Sequence, residues 1–421
     1  MKKVLIITYY WPPGSGAGVQ RWLKFARYLP EYGWEPVILT VDPDYAAYPA
    51  LDNSLEKDLP EGIKVHRTKA TDWFRIYSRD KSRVPSAGFA KSEGNSFKEK
   101  VLRFIRGNFF IPDPRRGWNR FAYKKAIEII ESEKISHIIT TSPPHSTQLI
   151  GLKLKMKFPD IQWIADLRDP WTDIYYYKQF YPTYISKMLD RSFEIDVLKS
   201  SDKIITVGNS LKELFVSKVP EIESKIEVIT NGFDEDDFKE IINVNPERFT
   251  ISYIGTLSES YPLEGLLSSL EKLQNEGKDF LFRLVGTVSL VQKEKILKKI
   301  DIESVQFIPY VNHNEAINFM MSSSVLLLII PDHHSNRSIL TGKLFEYLAS
   351  GKPVLCLGPA DGEAAAIIGE TEIGKTFAYN DFNSIAVYLL ELMNAIKNPS
   401  VNKITKFSRK ELTRQLTSIL K

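Results

Sequence analysis

Short apolar runs alternate with helical patterns along most of the chain. Helical patterns such as Val19–Tyr32 and Ser146–Lys157 separate the runs of the first half. Continuous apolar strands that alternate with helices predict a parallel sheet covered by helices on both faces. The runs that we interpret as strands are Val4–Thr8, Val37–Val41, His137–Thr141, Gln162–Ala165 and Lys203–Val207.

The pattern restarts after a polar, acidic segment near residue 230, and a second series of strands and helices runs from Thr250 to Leu357. We therefore predict two doubly wound, Rossmann-like α/β domains, over residues 1–235 and 236–400. A last helix over 401–421 could pack back on the first domain. Ligands of such sheets bind beyond the carboxyl ends of the strands, so two facing domains predict a ligand cleft between them.

Composition narrows the class of protein. Of the 421 residues, 43% are hydrophobic and 26% are charged, which is typical of a globular chain. Cys356 is the only cysteine, which excludes an internal disulfide and zinc sites built on several cysteines. No apolar stretch reaches the roughly 18 residues of a membrane span, and Tyr9–Pro13 ends the first apolar run too early for a signal peptide. A cytoplasmic location is therefore expected.

The basic charge is concentrated in one segment. Residues 63–125 hold 17 Lys and Arg against 5 Asp and Glu, within a chain of net charge +4. Such a segment predicts an anionic partner: a membrane surface, a phosphorylated substrate or a nucleic acid. Ser96–Pro112 interleaves apolar and basic residues, which predicts a helix in a membrane interface, or else a core helix with a solvated basic side. A nucleic acid is disfavoured as the partner, because the segment has no RNA-binding signature. Within the basic region, Ser78–Ser96 is predicted to be a mobile loop.

A glycine-rich loop lies between the first strand and the first helix. Gly14, Gly16 and Gly18 have G-x-G-x-G spacing, which differs from the dinucleotide-binding pattern. The loop is either a tight turn that packs strand on helix or a loop that contacts an acceptor or a phosphate at the helix N-terminus. In the second case Arg21 could reach the same ligand.

The second half holds the most informative stretch, Asn336–Leu355, which predicts a loop, a helix, a glycine stop and a strand. Thr341 and Gly342 can expose backbone N–H groups at the helix start, where an anion is favoured, and Lys343 adds a positive charge. Glu346 shares one side of the helix with Lys343, and its carboxylate can accept two ribose hydroxyls. The alternative is an amphipathic helix on which Lys343 and Glu346 form only a surface pair.

A second candidate lies in the first half, in Trp163–Asp173. If the strand ends at Ala165, then Asp166, Arg168 and Asp169 lie in a loop at its carboxyl end. Asp169 could orient an acceptor hydroxyl or take its proton. The alternative is a local salt-bridge cluster of Asp166 and Asp169 around Arg168.

Three histidines lie in loops. His145 follows a predicted strand and precedes a helix, so it could reach a ligand, although a lone loop histidine is more often structural or solvated. His333 and His334 adjoin Asp332, which could suggest a metal site or simply a solvated loop.

Four stretches resemble the retaining family 4 glycosyltransferases, which have the GT-B fold. GKLFEYLASGKPVL, from Gly342, resembles the donor-binding motif of that family. The opening of the chain (YYWPPGSGAGVQRWLKFARYLPEYGWEPVILT), EVITNGFDEDDF and YIGTLSE resemble its first strand–loop–helix–strand unit, its interdomain segment and the start of its donor domain. The resemblance covers most of the chain in order and spacing.

The resemblance implies roles for the donor residues. Glu346 would bind the nucleotide ribose, Thr341, Gly342 and Lys343 would lie against the diphosphate, and the backbone near Tyr310 would meet the base. The acidic partner of Glu346 is replaced by Ser338 and the family's His before Asp169 by Arg168. Two phosphate-binding cations are also replaced, one after Gly255 by Thr256 and the other near Tyr261. Lys343 and Arg337 are the candidate substitutes.

The function implied is transfer of a sugar from a nucleotide diphosphate sugar to an acceptor hydroxyl with retention. The resemblance further implies a UDP- or GDP-linked donor, a glycan or lipid-linked acceptor, no cofactor and no essential metal. By the same resemblance we expect a role in surface polysaccharide or lipopolysaccharide assembly, at the inner face of the plasma membrane. A nucleotide-sugar epimerase of the same fold and a non-catalytic sugar-nucleotide-binding scaffold remain the alternatives.

Overall fold

The computed structural model describes residues 1–48, 51–60, 62–71, 73, 97–239, 246–334, 336–394 and 403–420. The chain divides into two compact units, one of Met1–Thr230 with Leu412–Lys421 and the other of Asn231–Glu411. The boundary predicted at residue 235 falls within the first residues of the second unit. The Ser78–Ser96 segment, predicted to be a mobile loop, lies outside the described residues.

The first unit is built on a parallel sheet in the order β3-β2-β1-β4-β5-β6-β7. Its strands are β1 (Lys2–Ile7), β2 (Trp34–Val41), β3 (Lys64–Thr68), β4 (His137–Ser142), β5 (Gln162–Leu167), β6 (Lys203–Thr206) and β7 (Ile226–Val228). Its helices are α1 (Ala17–Tyr28), α2 (Phe97–Phe109), α3 (Asn119–Glu133), α4 (Gln148–Lys157), α5 (Tyr184–Ser200) and α6 (Asn209–Lys218).

The second unit holds a parallel sheet in the order β10-β9-β8-β11-β12-β13. Its strands are β8 (Phe249–Ile254), β9 (Phe280–Val285), β10 (Val305–Ile308), β11 (Val325–Ile329), β12 (Val354–Leu357) and β13 (Gly374–Phe377). Its helices are α7 (Glu264–Asn275), α8 (Leu290–Lys299), α9 (His313–Met321), α10 (Gly342–Ser350), α11 (Glu363–Thr371) and α12 (Phe382–Asn394).

The core of the first unit lies on both faces of its sheet. In β1, Leu5 and Ile7 pack into one hydrophobic cluster, whereas Val4 and Ile6 pack into another. Successive side chains of a strand point to opposite faces, so a strand that is covered on both faces is apolar throughout. This is why the uninterrupted apolar runs predicted the architecture, and the predicted doubly wound α/β class is confirmed.

The last helix, α13 (Arg409–Ile419), begins in the second unit, and its residues from Leu412 onward belong to the first unit. Leu412, Leu416 and Leu420 are buried there in the cluster that contains Val4 and Ile6. Their spacing of four residues places them on one face of a helix.

Each sheet has one point where the strand order reverses. In the first unit this point lies between β1 and β4, and in the second between β8 and β11. Parallel strands that send their connections to opposite sides leave a crevice at such a point, where ligands of this fold bind. The loops after these four strands are therefore where a site is expected in each unit.

Three details of the sheets differ from the sequence-based expectation. The edge strands β3 and β13 were not predicted, because KVHRT and GKTF are short and polar. The third difference is the end of β5, which extends to Leu167 rather than stopping at Ala165. That extension changes the interpretation of Asp166.

Candidate functional site

The site of the second unit lies around the start of α10, next to the end of β8. Thr341 precedes the first helical residue, Gly342, and its backbone is extended. The first N–H groups of a helix have no acceptor within the helix, so they can bind an anion. The Oγ1 atom of Thr341 is buried, and no hydrogen-bond partner for it exists among the described residues.

Lys343 is held against Tyr253 of β8. Its Nζ donates a hydrogen bond to the tyrosine oxygen over 2.9 Å and lies 4.4 Å from the ring centroid. The tyrosine hydroxyl in turn donates to the carbonyl of Thr256 over 2.8 Å. Burial lowers the pKa of the ammonium, while Tyr261 and Glu346 oppose the shift. Within the described part of the chain Lys343 has no carboxylate within ion-pair distance, so its charge is available to an anionic ligand.

Gly255 makes room for this ammonium. A Cβ atom at this position would lie 2.5 Å from Lys343 Nζ and 2.6 Å from its Cε. The residue also has a φ of 127°, and its N–H donates to the carbonyl of Val285 over 2.7 Å. Any side chain at this position would therefore displace Lys343 from its place beside Tyr253.

Gly255→Ala is expected to weaken nucleotide binding by about tenfold or more, because the ammonium loses its place. The matched control is Gly277→Ala, which has a φ of 71° but no atom within 4 Å of the added methyl. Both variants carry the backbone strain of about 1–2 kcal/mol, whereas only the first moves Lys343. Isothermal titration with nucleotide measures the difference, and equal affinities for the two variants would contradict this placement of Lys343.

Glu346 lies one turn further along α10, and its side chain is 22% exposed. Burial raises the pKa of this carboxyl and Asp237 adds to the shift, while His313, Lys343 and Arg409 oppose it. His313 Nδ1 lies 4.0 Å from Glu346 Oε1, and His313 Nε2 lies 3.5 Å from Asp237 Oδ2. A partly exposed carboxylate beside other charged groups is suited to accept hydroxyl hydrogen bonds from a ligand.

Sequence reasoning did not single out His313 or Asp237. The available signal was the Asn312–Glu315 capping box, which predicts that His313 is in the first turn of a helix. That signal locates the histidine on α9 without indicating that α9 lies beside α10.

The other donor-side candidates are more exposed. The Arg337 guanidinium is 70% exposed and pairs with Asp361 at 3.1 Å, and it forms no hydrogen bond or ion pair with Lys343 or Glu346. Tyr310 is 76% exposed. Thr256 contributes its carbonyl to the Tyr253 hydrogen bond. Of the two candidate substitutes for the missing cations, Lys343 is therefore the one beside the helix start.

In the first unit, Asp166 is a buried residue of β5 and not a loop residue, which corrects the sequence-based expectation. Its carboxylate accepts hydrogen bonds from Trp22 Nε1 at 2.8 Å and from Thr141 Oγ1 at 2.7 Å. Arg21 Nη2 lies 3.3 Å from the other oxygen, and both side chains of this pair are fully buried. Asp166 therefore holds α1 and β4 together and does not face a ligand.

Arg21 also corrects the expectation that it could reach a ligand of the glycine-rich loop. Besides Asp166, its guanidinium donates to the carbonyls of Thr230 at 2.7 Å and Ile229 at 2.9 Å. With no exposed surface, it is a structural group beneath the loop.

The cation that does meet the glycine-rich loop is Arg168. Its Nε donates to the carbonyl of Ser142 over 3.0 Å, and a Cβ at Gly18 would lie 2.7 Å from its Nη2. Gly16 has a φ of 108° and precedes α1, while Gly14 forms a bridge with Leu51. Gly18 lies in the first turn of α1, so the start of α1 and the loop after β5 meet at the carboxyl edge of the sheet.

Asp169 and His145 lie near Arg168. Burial raises the pKa of Asp169, Asp166 adds to the shift and Arg168 opposes it. Among the described residues Asp169 has no hydrogen-bond partner, so its carboxylate is available to a ligand. The His145 ring stacks on Trp171 with centroids 4.9 Å apart, and burial, with Arg168 and Lys218, lowers its pKa to about 3. The imidazole is therefore neutral at physiological pH.

The rings of His333 and His334 are 6.0 Å apart. No group of three or more His, Cys, Asp or Glu side chains suited to a metal ion occurs in the part of the chain that the structure describes.

Two family models match the chain. The model described as Glycosyltransferase Family 4 matches residues 18–237, which is more than half of the chain, and the model described as Glycosyl transferases group 1 matches residues 234–411. No curated protein sequence matches the chain.

Solved structures with the GT-B fold are similar over the full length. A sucrose-phosphate synthase from Thermosynechococcus elongatus has a TM-score of 0.62 at 13% identity, covering 100% of this chain and 98% of that one. Anabaena HepE, in complex with UDP, has a TM-score of 0.62 at 13% identity, with 100% and 99% covered. The lipopolysaccharide outer core galactosyltransferase WaaB has a TM-score of 0.61 at 11% identity, with 99% of each chain covered. At these identities the similarity shows the fold.

Proposed function

Because the chain belongs to Glycosyltransferase Family 4 and is a glycosyltransferase, we propose that it moves a sugar from a nucleotide diphosphate sugar to an acceptor hydroxyl with retention of the anomeric configuration. The second unit binds the donor, and the first unit binds the acceptor.

The main observation in support of this proposal is the position of the Lys343 ammonium. It sits beside the start of α10 with a tyrosine as its hydrogen-bond partner and no carboxylate within ion-pair distance among the described residues. Removing a charge from water without a counter-ion is unfavourable, so the site is built for an anion that arrives with the ligand. A diphosphate satisfies both the ammonium and the N–H groups of the helix start that have no acceptor within the helix.

The same groups can stabilise the leaving diphosphate during sugar transfer. When the bond between the sugar C1 and the diphosphate oxygen breaks, negative charge grows on the leaving oxygen. Lys343 and the N–H groups at the start of α10 stabilise that charge because the fold holds them in place before the ligand binds. Glu346, one turn along α10, accepts the ribose hydroxyls and holds the nucleotide in place.

On the acceptor side, Asp169 is the group that orients the acceptor hydroxyl and takes its proton as the new bond to C1 forms. Its raised pKa brings the carboxyl closer to neutral pH, where a general base works best. Arg168 and the loop of Gly14, Gly16 and Gly18 shape the surface around it. His145, neutral and stacked on Trp171, contributes as a hydrogen-bonding or packing group rather than as an acid.

Two structural relatives bear on the proposed donor and pathway. HepE structures contain UDP and UDP-glucose, and WaaB is a lipopolysaccharide galactosyltransferase. These relatives support a UDP-linked hexose as donor and an acceptor in lipopolysaccharide synthesis. A GDP-linked donor, and a glycan or lipid-linked acceptor in surface polysaccharide synthesis, belong to the same proposal. Among the described helices none has the length and hydropathy to cross a bilayer. We place the enzyme at the inner face of the plasma membrane, where the basic segment favours an anionic surface.

A thermal-shift screen of UDP, GDP, ADP and CMP tests the donor site. Binding at about 100 times the dissociation constant stabilises the fold by about 2.7 kcal/mol, so one nucleotide should raise the melting temperature by a few degrees. Sugar nucleotides of that base are then offered with an acceptor extract, and NMR of the product reports the anomeric configuration.

No shift with any nucleotide would contradict the proposal. Conversion of the sugar nucleotide in the absence of acceptor would instead identify an epimerase. Binding without turnover on any acceptor would identify a scaffold.

A further inference from the structure

The start of α5 has its apolar and polar faces exchanged relative to an ordinary surface helix. Its inward residues are Ser186, Asp190 and Glu194, all nearly or fully buried. Its outward residues include Tyr184, which is 76% exposed, and Ile185, which is 77% exposed. Met188 and Leu189 continue the outward stripe at 56% and 42%.

The buried polar face is fully bonded, which explains why the helix keeps this orientation. Asp190 accepts hydrogen bonds from Trp171 Nε1 at 2.7 Å and from Tyr177 at 2.9 Å. Glu194 accepts from Lys218 Nζ and Thr172 Oγ1, both at 2.6 Å. The internal structure therefore fixes the helix with its apolar stripe toward solvent, and burial within the unit does not account for that stripe.

A second outward apolar stripe lies on α2. Phe97, Val101 and Phe104 recur at helical spacing and are 82%, 40% and 42% exposed. Phe109, at the end of the helix, is 69% exposed. The sequence predicted an interfacial helix here, whereas the stripe on α5 was not anticipated.

Residues at the end of α2 contact the start of α5 and the segment before it. Asn108 of α2 accepts hydrogen bonds from the N–H of Thr183 at 2.7 Å and from Ser186 Oγ at 2.8 Å. Gly107 allows close approach, since a Cβ there would lie 2.8 Å from the Cβ of Phe180. The Arg106 guanidinium lies 4.0 Å from the ring centroid of Phe180. The end of α2 and the start of α5 are therefore held side by side.

The two segments that form this surface carry a net positive charge. Exposed basic side chains on the two segments are Lys100, Lys178, Lys187 and Arg191. The only acidic residues within 97–109 and 177–191 are Glu99 and Asp190, and Asp190 is buried. Protruding apolar side chains and exposed cations in the same segments are complementary to a bilayer that carries anionic lipid. The acyl chains can receive the apolar side chains, and the anionic head groups can bind the cations.

A pocket opens between the same two elements and leads toward the acceptor-side residues. Its walls include Arg106, Phe110, His145, Trp171, Tyr176 and Phe180. Tyr176 is near enough to Asp169 for that carboxylate to contribute to the raised pKa of the tyrosine. The pocket adjoins the contact between Arg106 and Phe180 and also contains His145, so it suits an amphiphile whose polar head enters the pocket while its apolar part stays in a membrane.

We propose that the outward faces of α2 and the start of α5 form one surface that docks on an anionic bilayer, and that the pocket between them receives the polar head of a lipid-anchored acceptor. The docking part of the proposal depends only on the exposed faces of α2 and α5. The acceptor class rests on the proposed function, because it presumes that the first unit binds the acceptor.

Vesicle flotation tests the docking with the full chain. The wild type should float with vesicles that contain phosphatidylglycerol and much less with phosphatidylcholine alone, and salt should weaken the binding. Ile185→Ser/Met188→Ser should reduce binding by about tenfold or more, since two protruding apolar side chains are lost. The matched control is Leu290→Ser/Ile302→Ser, which removes side chains that are 75% and 65% exposed on the second unit, and it should bind like the wild type.

Phe97→Ser/Phe104→Ser provides an independent variant on the other helix, and thermal unfolding confirms that each variant is folded. The docking is overturned if the wild type fails to bind either vesicle, or if the α5 and α2 variants both bind as the wild type does. A change in oligomeric state with unchanged vesicle binding would also overturn it, and would show that this surface joins two copies of the chain.

Label transfer tests the acceptor class separately. With the labelled sugar nucleotide named by the nucleotide screen, and cell extract as acceptor pool, label should enter the fraction extracted by organic solvent. Label only in water-soluble products would overturn the lipid-anchored acceptor. Label in neither fraction, with no nucleotide shift, would count against the proposed function itself, while the flotation result would still decide the docking.

Discussion

Lys343→Ala should weaken binding of the nucleotide diphosphate by about a hundredfold or more. Truncating one partner of a buried charge pair costs about 2–5 kcal/mol, and each 1.4 kcal/mol is about a factor of ten. In the free protein the ammonium is bonded to Tyr253 and held in the space left by Gly255, so it is already positioned before the ligand arrives. Little affinity is then spent on ordering the side chain.

Isothermal titration with the nucleotide that emerges from the screen measures the loss. Lys375→Ala is the matched control, because that lysine is exposed on β13 and pairs with Glu391 at the surface. The control should bind like the wild type, since surface ion pairs contribute little. Unchanged affinity in Lys343→Ala would remove Lys343 from the site, and with it the observation on which the donor assignment depends.

Asp166→Ala and Asp169→Ala should fail in opposite ways, although the two residues are three positions apart. Asp166→Ala leaves the fully buried Arg21 without its carboxylate, and breaking such a pair costs about 3–5 kcal/mol of unfolding free energy. Asp169 has no hydrogen bond to lose among the described residues, so Asp169→Ala should stay close to wild-type stability. It should instead lower turnover by about 10²–10⁴-fold, the usual effect of losing a general base.

Urea unfolding followed by a probe in the first unit, together with label transfer at saturating donor, separates the two effects. Asp169→Asn serves as the conservative variant, because it keeps the shape while removing the negative charge. Full turnover in Asp169→Ala would exclude Asp169 as the base. A stability loss in Asp169→Ala that matches that of Asp166→Ala would show that both residues are structural.

Much of the donor site was predictable because its parts lie close together in the chain. Thr341 directly precedes α10, and Gly342, Lys343 and Glu346 fall within its first turn and a half, where helical periodicity alone sets which side chains share a face. The glycine at position 351 has a φ of 64° and ends the helix as predicted. Tyr253 and Gly255 lie in the YIGTLSE segment, which resembled the start of the family's donor domain. Their contact with Lys343 was not predictable, because Tyr253 and Lys343 are 90 positions apart in the chain.

The acceptor-side candidates show where the pattern was insufficient. Asp166 looked like a loop residue, because a carboxylate directly after an apolar strand usually marks the strand's end. It is instead inside β5, since Trp22, Thr141 and Arg21 supply the donors that a buried carboxylate requires. Arg21, close to the glycine-rich loop in sequence, is turned beneath it, and the more distant Arg168 takes the position beside Gly18.

The two parallel α/β sheets and the chemistry of α10 were predictable from the amino-acid pattern, because both depend on short-range periodicity and on residues that are neighbours in the chain. Long-range contacts, which no local pattern encodes, establish which polar groups are satisfied inside the protein and which remain for a ligand. Burial and hydrogen bonding turned four polar side chains inward: Asp166, Arg21, Asp190 and Glu194. Among the described residues, Lys343 has no carboxylate within ion-pair distance and Asp169 has no hydrogen-bond partner. The same long-range contacts turned the apolar stripe of α5 toward solvent, because its polar face had partners inside the unit and its apolar face had none.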